Sequence, residues 1–300
     1  MRDETVPDSH SSYLDPGRPI ADVQPLTDKE FRKIGQFVYK HCGINLGPAK
    51  KTMVYGRLSK RLRALGIPSF GEYFEFAAGP HGSQEELTTM INLLTTNKTD
   101  FFREPDHFDF LKNVGLDELM DLPQVRQRRH LQIWSAGCSS GEEPYTLAFV
   151  VADFLQNHLG ITFSILATDI STFRLEEARR AIYTQEQVEP VPIDIRSRYF
   201  LKGINGRAGT YRVGPKIRRL VKFRALNLMD RDFGIPGHVD VIFCRNVSIY
   251  FDRPTQKALI GKFYEQLAPG GFYFIGHSET LQGVFDRFRL VVPTIYRKQI

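Results

Sequence analysis

Residues 134–148, WSAGCSSGEEPYTLA, decide the fold of the larger part of this 300-residue chain. The apolar run that begins at Leu131 is typical of a buried strand, and an apolar helical pattern follows the two glutamates. Residues 136–141 between them are small and glycine-rich, which predicts a tight loop. A strand, a glycine loop and a helix in this order are typical of the first unit of a doubly wound α/β sheet.

The charge of this loop narrows the class of ligand. The loop has no lysine and no GxGxxG spacing, so it is neither a P-loop nor a dinucleotide fingerprint. Glu142 and Glu143 repel phosphate but suit a ligand with hydroxyls or an ammonium group. S-adenosylmethionine has an ammonium, a sulfonium and two ribose hydroxyls, and it has no phosphate. The loop alone is weak evidence, because many glycine loops mark only tight turns.

From Leu131 onward strand and helix patterns alternate, which predicts a mainly parallel sheet covered by helices. The predicted strands are 131–135, 163–168, 220–225, 239–244 and 272–276, and the predicted helices lie near 143–158, 172–182 and 255–267. Two later runs, 287–292 and 294–298, are expected to close the sheet as an antiparallel edge. Residues 199–214 contain two apolar runs around a glycine-rich turn, which predicts an inserted β-hairpin.

Residues 26–95 predict a small helical domain. Three capping-box patterns occur there, in which Ser or Thr precedes Glu by three residues. They are Thr27 with Glu30, Ser69 with Glu72, and Ser83 with Glu86. Apolar residues follow at helical spacing, and the segment 96–130 is expected to link this domain to the sheet domain of residues 131–300.

Residues 1–25 have no apolar core of a signal peptide, so we expect a disordered tail and a cytoplasmic protein. No apolar run approaches the ~20 residues that span a bilayer, so no membrane insertion is expected. Cys42, Cys138 and Cys244 are widely spaced, with no CxxC pair, which predicts free thiols and no metal site. Cys138 is expected to be a small loop residue, because no histidine accompanies it as a base.

The net charge of +6 is unevenly distributed. Residues 48–66 hold six Lys or Arg and no acid, and residues 210–224 again hold six and none. The rest of the chain therefore has 28 basic and 34 acidic residues. Such local basicity indicates docking surfaces for an acidic partner.

Two further polar signals flank the glycine loop. Asp169 ends the second predicted strand, where an acid binds ribose in nucleoside-binding sheets, although Asp169 or Ser171 could equally cap the next helix. The segment NKTDFFRE, residues 97–104, places polar groups around Phe101 and Phe102. Spacing alone predicts that this segment is a domain linker whose two phenylalanines are buried in the core.

Six motifs occur in order: TNKTDFFRE, WSAGCSSGEEPYTLA, ATDIS, ALNLMD, FCRNVSIYFD and LAPGGFYFIGHSET. Over residues 26–298 this set resembles the chemotaxis receptor methyltransferases, the CheR family. The resemblance implies an α/β fold: a Rossmann-like S-adenosylmethionine-dependent methyltransferase domain with a small β-subdomain inserted at about 190–219, preceded by a small all-α domain. Family members methylate glutamate side chains on the cytoplasmic helices of chemoreceptors, giving methyl esters and S-adenosylhomocysteine.

The resemblance also implies site residues. The cofactor-binding residues carried over by motif are Asn97, Thr99, Arg103, Ala136, Gly137, Glu143 or its neighbour Glu142, Asp169, Asn227, Leu228, Asn246 and Val247. Arg103 and Tyr250 resemble the catalytic pair beside the transferring methyl. Without the resemblance, Arg103 would be expected to pair with Glu104 or Asp106, and Tyr250 to be a half-buried core ring. Ser248 replaces a bulky apolar residue of the family, and we expect it to face backbone and activity to survive.

Arg57, Lys60 and Arg61 share a helix face at i, i+3 and i+4. We expect this face to dock an acidic chemoreceptor helix bundle, and the alternative is an ordinary solvated face. The inserted β-subdomain could add a receptor's C-terminal peptide as an extra strand or simply cover the sheet edge. A monomer is expected.

Two rival functions use the same fold. A nucleic-acid methyltransferase would suit the pI of about 9.2, but no NPPY-like segment is present and no aromatics interleave with the basic run, so no nucleic-acid partner is expected. A catalytically silent S-adenosylmethionine-binding module that contacts receptors would predict damaged site positions. Arg103, Asp169, Asn246 and Tyr250 are all present, so the sequence favours an enzyme.

Overall fold

The structure is a computed structural model that describes residues 23–95, 97–158 and 160–300. The tail predicted to be disordered comprises residues 1–25, and residues 1–22 of it lie outside the described residues. The chain divides into two compact units, one of residues 23–41 with 45–95 and one of residues 42–44 with the chain from 97 onward. In the described ranges no helix combines the length and the apolarity needed to cross a membrane.

The first unit is helical, as predicted. Its described part contains α1 (Asp28–Cys42), a 3-10 turn (Pro48–Lys50), α2 (Lys51–Leu65), α3 (Phe70–Ala78) and α4 (Gln84–Leu94). Ser69 and Ser83 accept the backbone N–H three residues on and so cap α3 and α4. Thr27 and Glu30 form the reciprocal box, each side chain accepting the other's N–H.

The second unit contains the sheet. Its strands are β1 (His130–Ala136), β2 (Thr162–Asp169), β3 (Ile182–Thr184), β4 (Phe200–Lys202), β5 (Thr210–Val213), β6 (Val221–Ala225), β7 (Val239–Phe243), β8 (Leu267–Phe274), β9 (Phe288–Val292) and β10 (Ile295–Lys298). Its α-helices are α5 (Pro105–Phe110), α6 (Leu116–Met120), α7 (Pro123–Arg128), α8 (Glu142–Leu155), α9 (Thr172–Arg180), α10 (Gln185–Val188), α11 (Ile193–Tyr199), α12 (Pro215–Arg218) and α13 (Arg253–Gln266).

Seven strands form the main sheet in the order β6-β2-β1-β7-β8-β10-β9. The first five are parallel, and β10 runs antiparallel to both β8 and β9, so the predicted antiparallel edge is confirmed. From β1 the chain proceeds outward to β2 and β6 and then returns to β7 on the other side of β1. The switch point of the sheet therefore lies between β1 and β7, where doubly wound folds bind ligands.

Alternate side chains of the central strands enter two cores, one on each face of the sheet. In β1, Leu131 and Ile133 enter the first core, whereas Trp134 and Ala136 enter the second. The strands β7 and β8 divide their side chains in the same way. Burial on both faces explains why these strands are mostly apolar on both of their faces and do not alternate between apolar and polar residues.

Residues 97–130 differ from the expected linker, because they form part of the second unit. They fold into α5, α6 and α7, with a π-helical turn (Leu111–Gly115) between the first two. Phe101 is buried in the first core, and Phe102 packs partly buried against it. The helices are only five or six residues long, too short for their apolar spacing to stand out in the sequence.

The predicted hairpin is present as β4 and β5, which pair antiparallel with Phe200 opposite Val213. A third strand, β3, pairs with the other side of β5 and gives the small sheet the order β3-β5-β4. The small sheet therefore begins at Ile182, before the range of about 190–219 expected for the insertion. Its three-residue first strand follows α9 directly, and the helical pattern of 172–182 concealed it.

Candidate active site

The predicted cofactor residues collect at the carboxyl ends of four parallel strands. Gly137 follows β1, Asp169 ends β2, Asn227 follows β6, and Asn246 follows β7. Parallel strands place these ends along one edge of the sheet, beside the switch point. The segment 97–103 reaches the same edge, since the Ser139 hydroxyl donates to the Asn97 carbonyl at 3.0 Å.

The glycine loop lies in close contact with the loop after β7. A Cβ atom on Gly137 would lie 2.5 Å from a methyl carbon of Val247, and the residue has a φ of +85°. Both the space and the backbone conformation therefore require glycine. This contact brings the predicted residues Ala136, Gly137 and Val247 together at the carboxyl ends of β1 and β7.

Asp169 joins two loops. One carboxylate oxygen accepts the Ser139 N–H and the other accepts the Ser171 N–H, each at 2.8 Å. Ser171 itself caps α9 by accepting the Arg174 N–H, so the cap alternative belongs to Ser171. Burial raises the pKa of Asp169, although these hydrogen bonds oppose the shift.

The two glutamates of the loop have different partners. Glu143 accepts the Ser135 hydroxyl and the Arg245 Nε–H, both at 2.7 Å. Glu142 is also buried, but it accepts the Ser140 hydroxyl at 2.8 Å, and burial raises its pKa to about 7. Glu143 is thus held as a charged partner of arginine, whereas the carboxyl of Glu142 titrates near neutral pH.

Arg245 was missed by the sequence analysis, although it lies inside a quoted motif. Its side chain is 2% exposed. Besides Glu143, its guanidinium donates to the Arg103 carbonyl at 2.7 Å and contacts the Glu104 carboxylate at 3.3 Å. Arg245 therefore connects the glycine loop to the turn that carries Arg103. The only sequence signal was an arginine directly after an apolar strand, at a ligand-binding sheet edge.

The NKTDFFRE turn has a strained backbone. Phe102 and Glu104 have positive φ values of 54° and 58°, which side-chain-bearing residues rarely adopt. The Phe102 N–H donates to the Thr146 hydroxyl at 3.3 Å, and the Arg103 guanidinium donates to the Lys98 carbonyl at 2.9 Å. Such strain is typical of functional sites, where the surrounding structure enforces it.

Glu104 and Asp106, the two acids that spacing alone would pair with Arg103, form ion pairs with other residues. Glu104 contacts Arg245, and Asp106 contacts His277 at 3.1 Å. Thr99 is half-buried in the same turn. The Arg103 side chain thus lies on the turn without the partner that spacing alone would have assigned to it.

The loop after β7 carries Asn246, Val247 and the 3-10 turn Ser248–Tyr250. The Asn246 side-chain amide donates to the Glu104 carboxylate at 3.3 Å, which ties this loop to the NKTDFFRE turn. Tyr250 is half-buried against the second core. The Ser248 hydroxyl donates to the Glu279 carboxylate at 2.7 Å, so the expectation that it faces backbone is wrong.

Asn227 and Leu228 lie at the end of β6. The side-chain oxygen of Asn227 accepts the Met229 N–H at 3.0 Å, which forms a tight turn. Leu228 is half-buried against the second core. These positions suit residues that flank a flat ring at the sheet edge.

Among the described residues, Glu104, His107 and His277 bring three potential metal-ligand atoms within 4.8 Å of one another. The Arg245 guanidinium lies 3.0 Å from the His107 Nδ1 and would repel a cation there. Burial and Arg245 lower the pKa of His107 to about 4, and its Nε2 bonds the Thr294 hydroxyl. Burial raises the pKa of the Cys138 thiol well above its ordinary value, which disfavours the thiolate form.

The expected docking face on α2 is partly occupied by internal contacts. Arg57 donates to the carbonyls of Leu94 and Thr95 at 3.0 and 2.8 Å, at the end of α4. Arg61 forms a two-pronged pair with the buried Glu86, at 3.0 and 2.6 Å. Sequence spacing did not reveal these partners, because they lie on another helix. Lys60 is exposed.

The donor set at the switch point fits S-adenosylmethionine. Buried carboxylates face the glycine loop and asparagines follow β6 and β7, which gives acceptors for an ammonium group and for ribose hydroxyls along one sheet edge. Together, fold and site define an S-adenosylmethionine-dependent methyltransferase.

Comparison with known proteins identifies the family. Residues 97–297 match the CheR methyltransferase SAM-binding domain, and residues 29–95 match the CheR methyltransferase all-alpha domain. The chain is 40% identical to chemotaxis protein methyltransferase 2 of Pseudomonas aeruginosa, covering 90% of this chain and 93% of that one. It is 41% identical to the chemotaxis protein methyltransferase of Klebsiella aerogenes (92% of each chain) and 40% identical to that of Escherichia coli (90% and 91%). The chain therefore belongs to the CheR methyltransferase family.

Proposed function

We propose that this enzyme transfers the methyl group of S-adenosylmethionine to glutamate side chains of a chemoreceptor and so forms methyl esters. The relatives named above are chemotaxis protein methyltransferases, which supports a receptor substrate. The observation that carries the proposal is the link through Arg245, which joins the Arg103 turn to the acidic glycine loop. This link supports the proposal, because it joins the turn that carries the Arg103 guanidinium to a loop suited to a phosphate-free nucleoside.

The reaction needs alignment more than proton transfer. A glutamate side chain with a pKa of ~4.3 is already ionised at neutral pH, so no strong general base is required. The bound cofactor supplies an electrophilic methyl group. Arg103 orients the substrate carboxylate as a two-pronged fork, and the Tyr250 hydroxyl fixes the attacking oxygen.

The cofactor contacts follow from the partners of the loop carboxylates. Asp169 binds the ribose hydroxyls with its remaining lone pairs. Glu142 binds the ammonium, because Glu143 already neutralises Arg245. Asn227 and Leu228 flank the adenine, while Asn97, Thr99, Asn246 and Val247 line the methionine side.

The proposal is tested with S-adenosylmethionine that carries a labelled methyl group and membranes that contain the host's chemoreceptors. Mild alkali releases methanol from esters, so alkali-labile label on receptor bands is the expected result. Label recovered in nucleic acid, or cofactor binding without any transfer, would overturn the proposal and favour one of the two rival functions.

Cofactor affinity should rise with pH through neutrality. The Glu142 pKa is about 7 in the free enzyme, and only the carboxylate attracts an ammonium. We expect S-adenosylhomocysteine to bind roughly tenfold more tightly at pH 8 than at pH 6, since one proton must leave. Isothermal titration calorimetry in buffers of different ionisation enthalpy measures both the affinity and the released proton. In Glu142→Gln the pH dependence should disappear; if it persists, another group is responsible.

The same carboxyl, that of Glu142, makes the stability of the fold decrease as the pH rises, whereas it makes the cofactor affinity increase. Burial raises the pKa of Glu142 above its usual value of 4.5, so the folded state holds the proton more tightly than the unfolded state. Its contribution is therefore fully present below about 4.5 and is lost as the pH rises through about 7.

Receptor docking on α2 should depend on Lys60. Lys60→Glu places a negative charge opposite an acidic bundle, and we expect KM for receptor to rise about three- to tenfold at low salt, with less effect at high salt. Lys29→Glu is the matched control, because Lys29 is exposed on α1 and undergoes the same charge change. Equal KM values for the two variants would argue against docking on this face. Arg61→Glu is unsuitable, since it would break the pair with Glu86.

A receptor's C-terminal peptide remains a predicted ligand of the small sheet. The strand β4 forms one edge of that sheet, and Leu201 on it is 57% exposed. An open edge with an apolar side chain suits strand addition. A monomeric enzyme would leave this edge accessible.

A further inference from the structure

We propose that Glu279 is a positioning residue that fixes the turn of Asn246, Val247 and Tyr250, and this inference rests on the function proposed for that turn. Glu279 follows β8 and belongs to the motif GFYFIGHSET, whose polar residues have no role in the proposed reaction. It is 8% exposed, so its carboxylate is largely withdrawn from water. A buried carboxylate requires strong partners.

Five donors converge on this carboxylate. One oxygen accepts the N–H groups of Asn246 at 2.8 Å and Gly276 at 2.6 Å. The other accepts the N–H groups of Val247 at 3.1 Å and Ser248 at 2.7 Å, and also the Ser248 hydroxyl at 2.7 Å. Three of the donors are consecutive N–H groups of one turn.

This geometry is that of an anion-binding nest. Asn246 has a left-handed φ of +58°, which turns successive N–H groups toward one point. The chain fills the nest with its own carboxylate, so these donors are not available to a phosphate. The same bonds hold Asn246 in a backbone conformation that is costly for a residue with a side chain.

The turn of Asn246, Val247 and Tyr250 positions three parts of the site. Val247 contacts the glycine loop at Gly137, and the Tyr250 N–H donates to the Val247 carbonyl at 3.2 Å. Asn246 reaches the Glu104 carboxylate in the NKTDFFRE turn. A Cβ atom on Gly276 would lie 2.8 Å from the Asn246 backbone nitrogen, so the chain after β8 packs closely against the turn.

Ser248 provides the donor that distinguishes this chain from the family pattern. An apolar residue at this position could offer only its N–H to Glu279. The Ser248 hydroxyl adds a further bond at 2.7 Å to the oxygen that already accepts two N–H groups. In this chain, therefore, Ser248 strengthens the hold of Glu279 on the turn.

Glu279→Gln keeps the shape and removes the charge. Whichever way the amide is oriented, its NH2 group faces two or more N–H donors and cannot accept from them. We expect KM for S-adenosylmethionine and Kd for S-adenosylhomocysteine to rise about 10- to 100-fold, and kcat to fall as Tyr250 shifts. KM for receptor should stay within about twofold of the wild type, because docking lies elsewhere. A purely structural role would lower Tm without changing KM of the folded enzyme.

The experiment measures S-adenosylhomocysteine binding by calorimetry, steady-state methyl transfer and Tm for the full chain. Glu265→Gln is the matched control, because Glu265 is exposed and pairs with Arg287 at 2.9 Å away from the turn. Equal Kd values for the two variants would overturn the inference. If the wild type binds S-adenosylhomocysteine but transfers no methyl, the proposed function fails, and the binding comparison still tests Glu279.

Ser248→Ala gives a second, milder variant that stays informative if Glu279→Gln does not fold. It removes one donor of five and leaves the backbone bonds in place. We expect S-adenosylhomocysteine to bind about two- to fivefold more weakly. Wild-type affinity in Ser248→Ala, with Glu279→Gln unfolded, would overturn the inference.

Discussion

Arg245→Met should destabilise the second unit by about 3–5 kcal/mol and abolish most of the methyl transfer. The guanidinium is buried and serves Glu143, Glu104 and the Arg103 carbonyl at once. Methionine fills a similar volume but leaves the two carboxylates without their cation. At roughly 2–4 °C per kcal/mol for a unit of this size, Tm should fall by about 10 °C.

The control for this substitution is Arg126→Met. Arg126 pairs with Asp121 at 2.6 Å on the surface of the same unit, and an exposed pair contributes only ~0–1 kcal/mol. Differential scanning calorimetry and urea unfolding compare the two variants. Similar Tm values for both would show that Arg245 does not hold the site together.

A double variant separates charge from packing. In Arg245→Met with Glu143→Gln, the buried negative charge disappears together with its partner. Part of the lost stability should then return, since removing both members of a buried pair costs less than removing one. Methyl transfer should not return, because the contact with the Arg103 carbonyl is still missing.

The main sheet was predictable because its strands are buried on both faces. Mostly apolar runs such as β1 and β7 are conspicuous in a sequence, and the glycine loop after β1 marked the site edge. The antiparallel edge of β9 and β10 was predictable from two closely spaced β-rich runs. By contrast, α5, α6 and β3 were concealed, because elements of three to six residues have too few turns or alternations to show a period.

Side-chain partners were less predictable than elements. Arg245 meets Glu143 and the Arg103 carbonyl across 102 and 142 residues of sequence, and Glu279 meets Asn246 across 33. These pairs have no local signature, since only the topology of the sheet brings them together. Arg61 forms another such pair, with Glu86 on α4, and its expected role in docking stays a prediction.

The positive-φ residues of the site are a further feature that sequence alone does not show. Phe102, Glu104, Ser139 and Asn246 all adopt φ values between 48° and 58° around the switch point. Glycine and asparagine tolerate this conformation, but phenylalanine and glutamate gave no hint of it. Such residues are held there by tertiary hydrogen bonds, including those of Thr146, Asp169 and Glu279.

Arg103→Ala should lower kcat about 100-fold while Kd for S-adenosylhomocysteine changes by less than about threefold. Arg245 binds the Arg103 carbonyl, and that bond survives when the side chain is removed. The fold of the turn should therefore persist, and the loss should fall on alignment of the substrate carboxylate. Steady-state kinetics with receptor, calorimetry with S-adenosylhomocysteine and Tm separate these effects.

Arg103→Lys tests whether the fork matters or only the charge. Lysine keeps the positive charge but cannot hold a carboxylate with two parallel N–H donors, so kcat should recover by less than about tenfold. Full recovery in Arg103→Lys would mean that charge alone orients the substrate. If Arg103→Ala folds and turns over like the wild type, Arg103 has no part in the reaction. Alignment would then depend on Tyr250, whose position on the turn after β7 depends on Glu279.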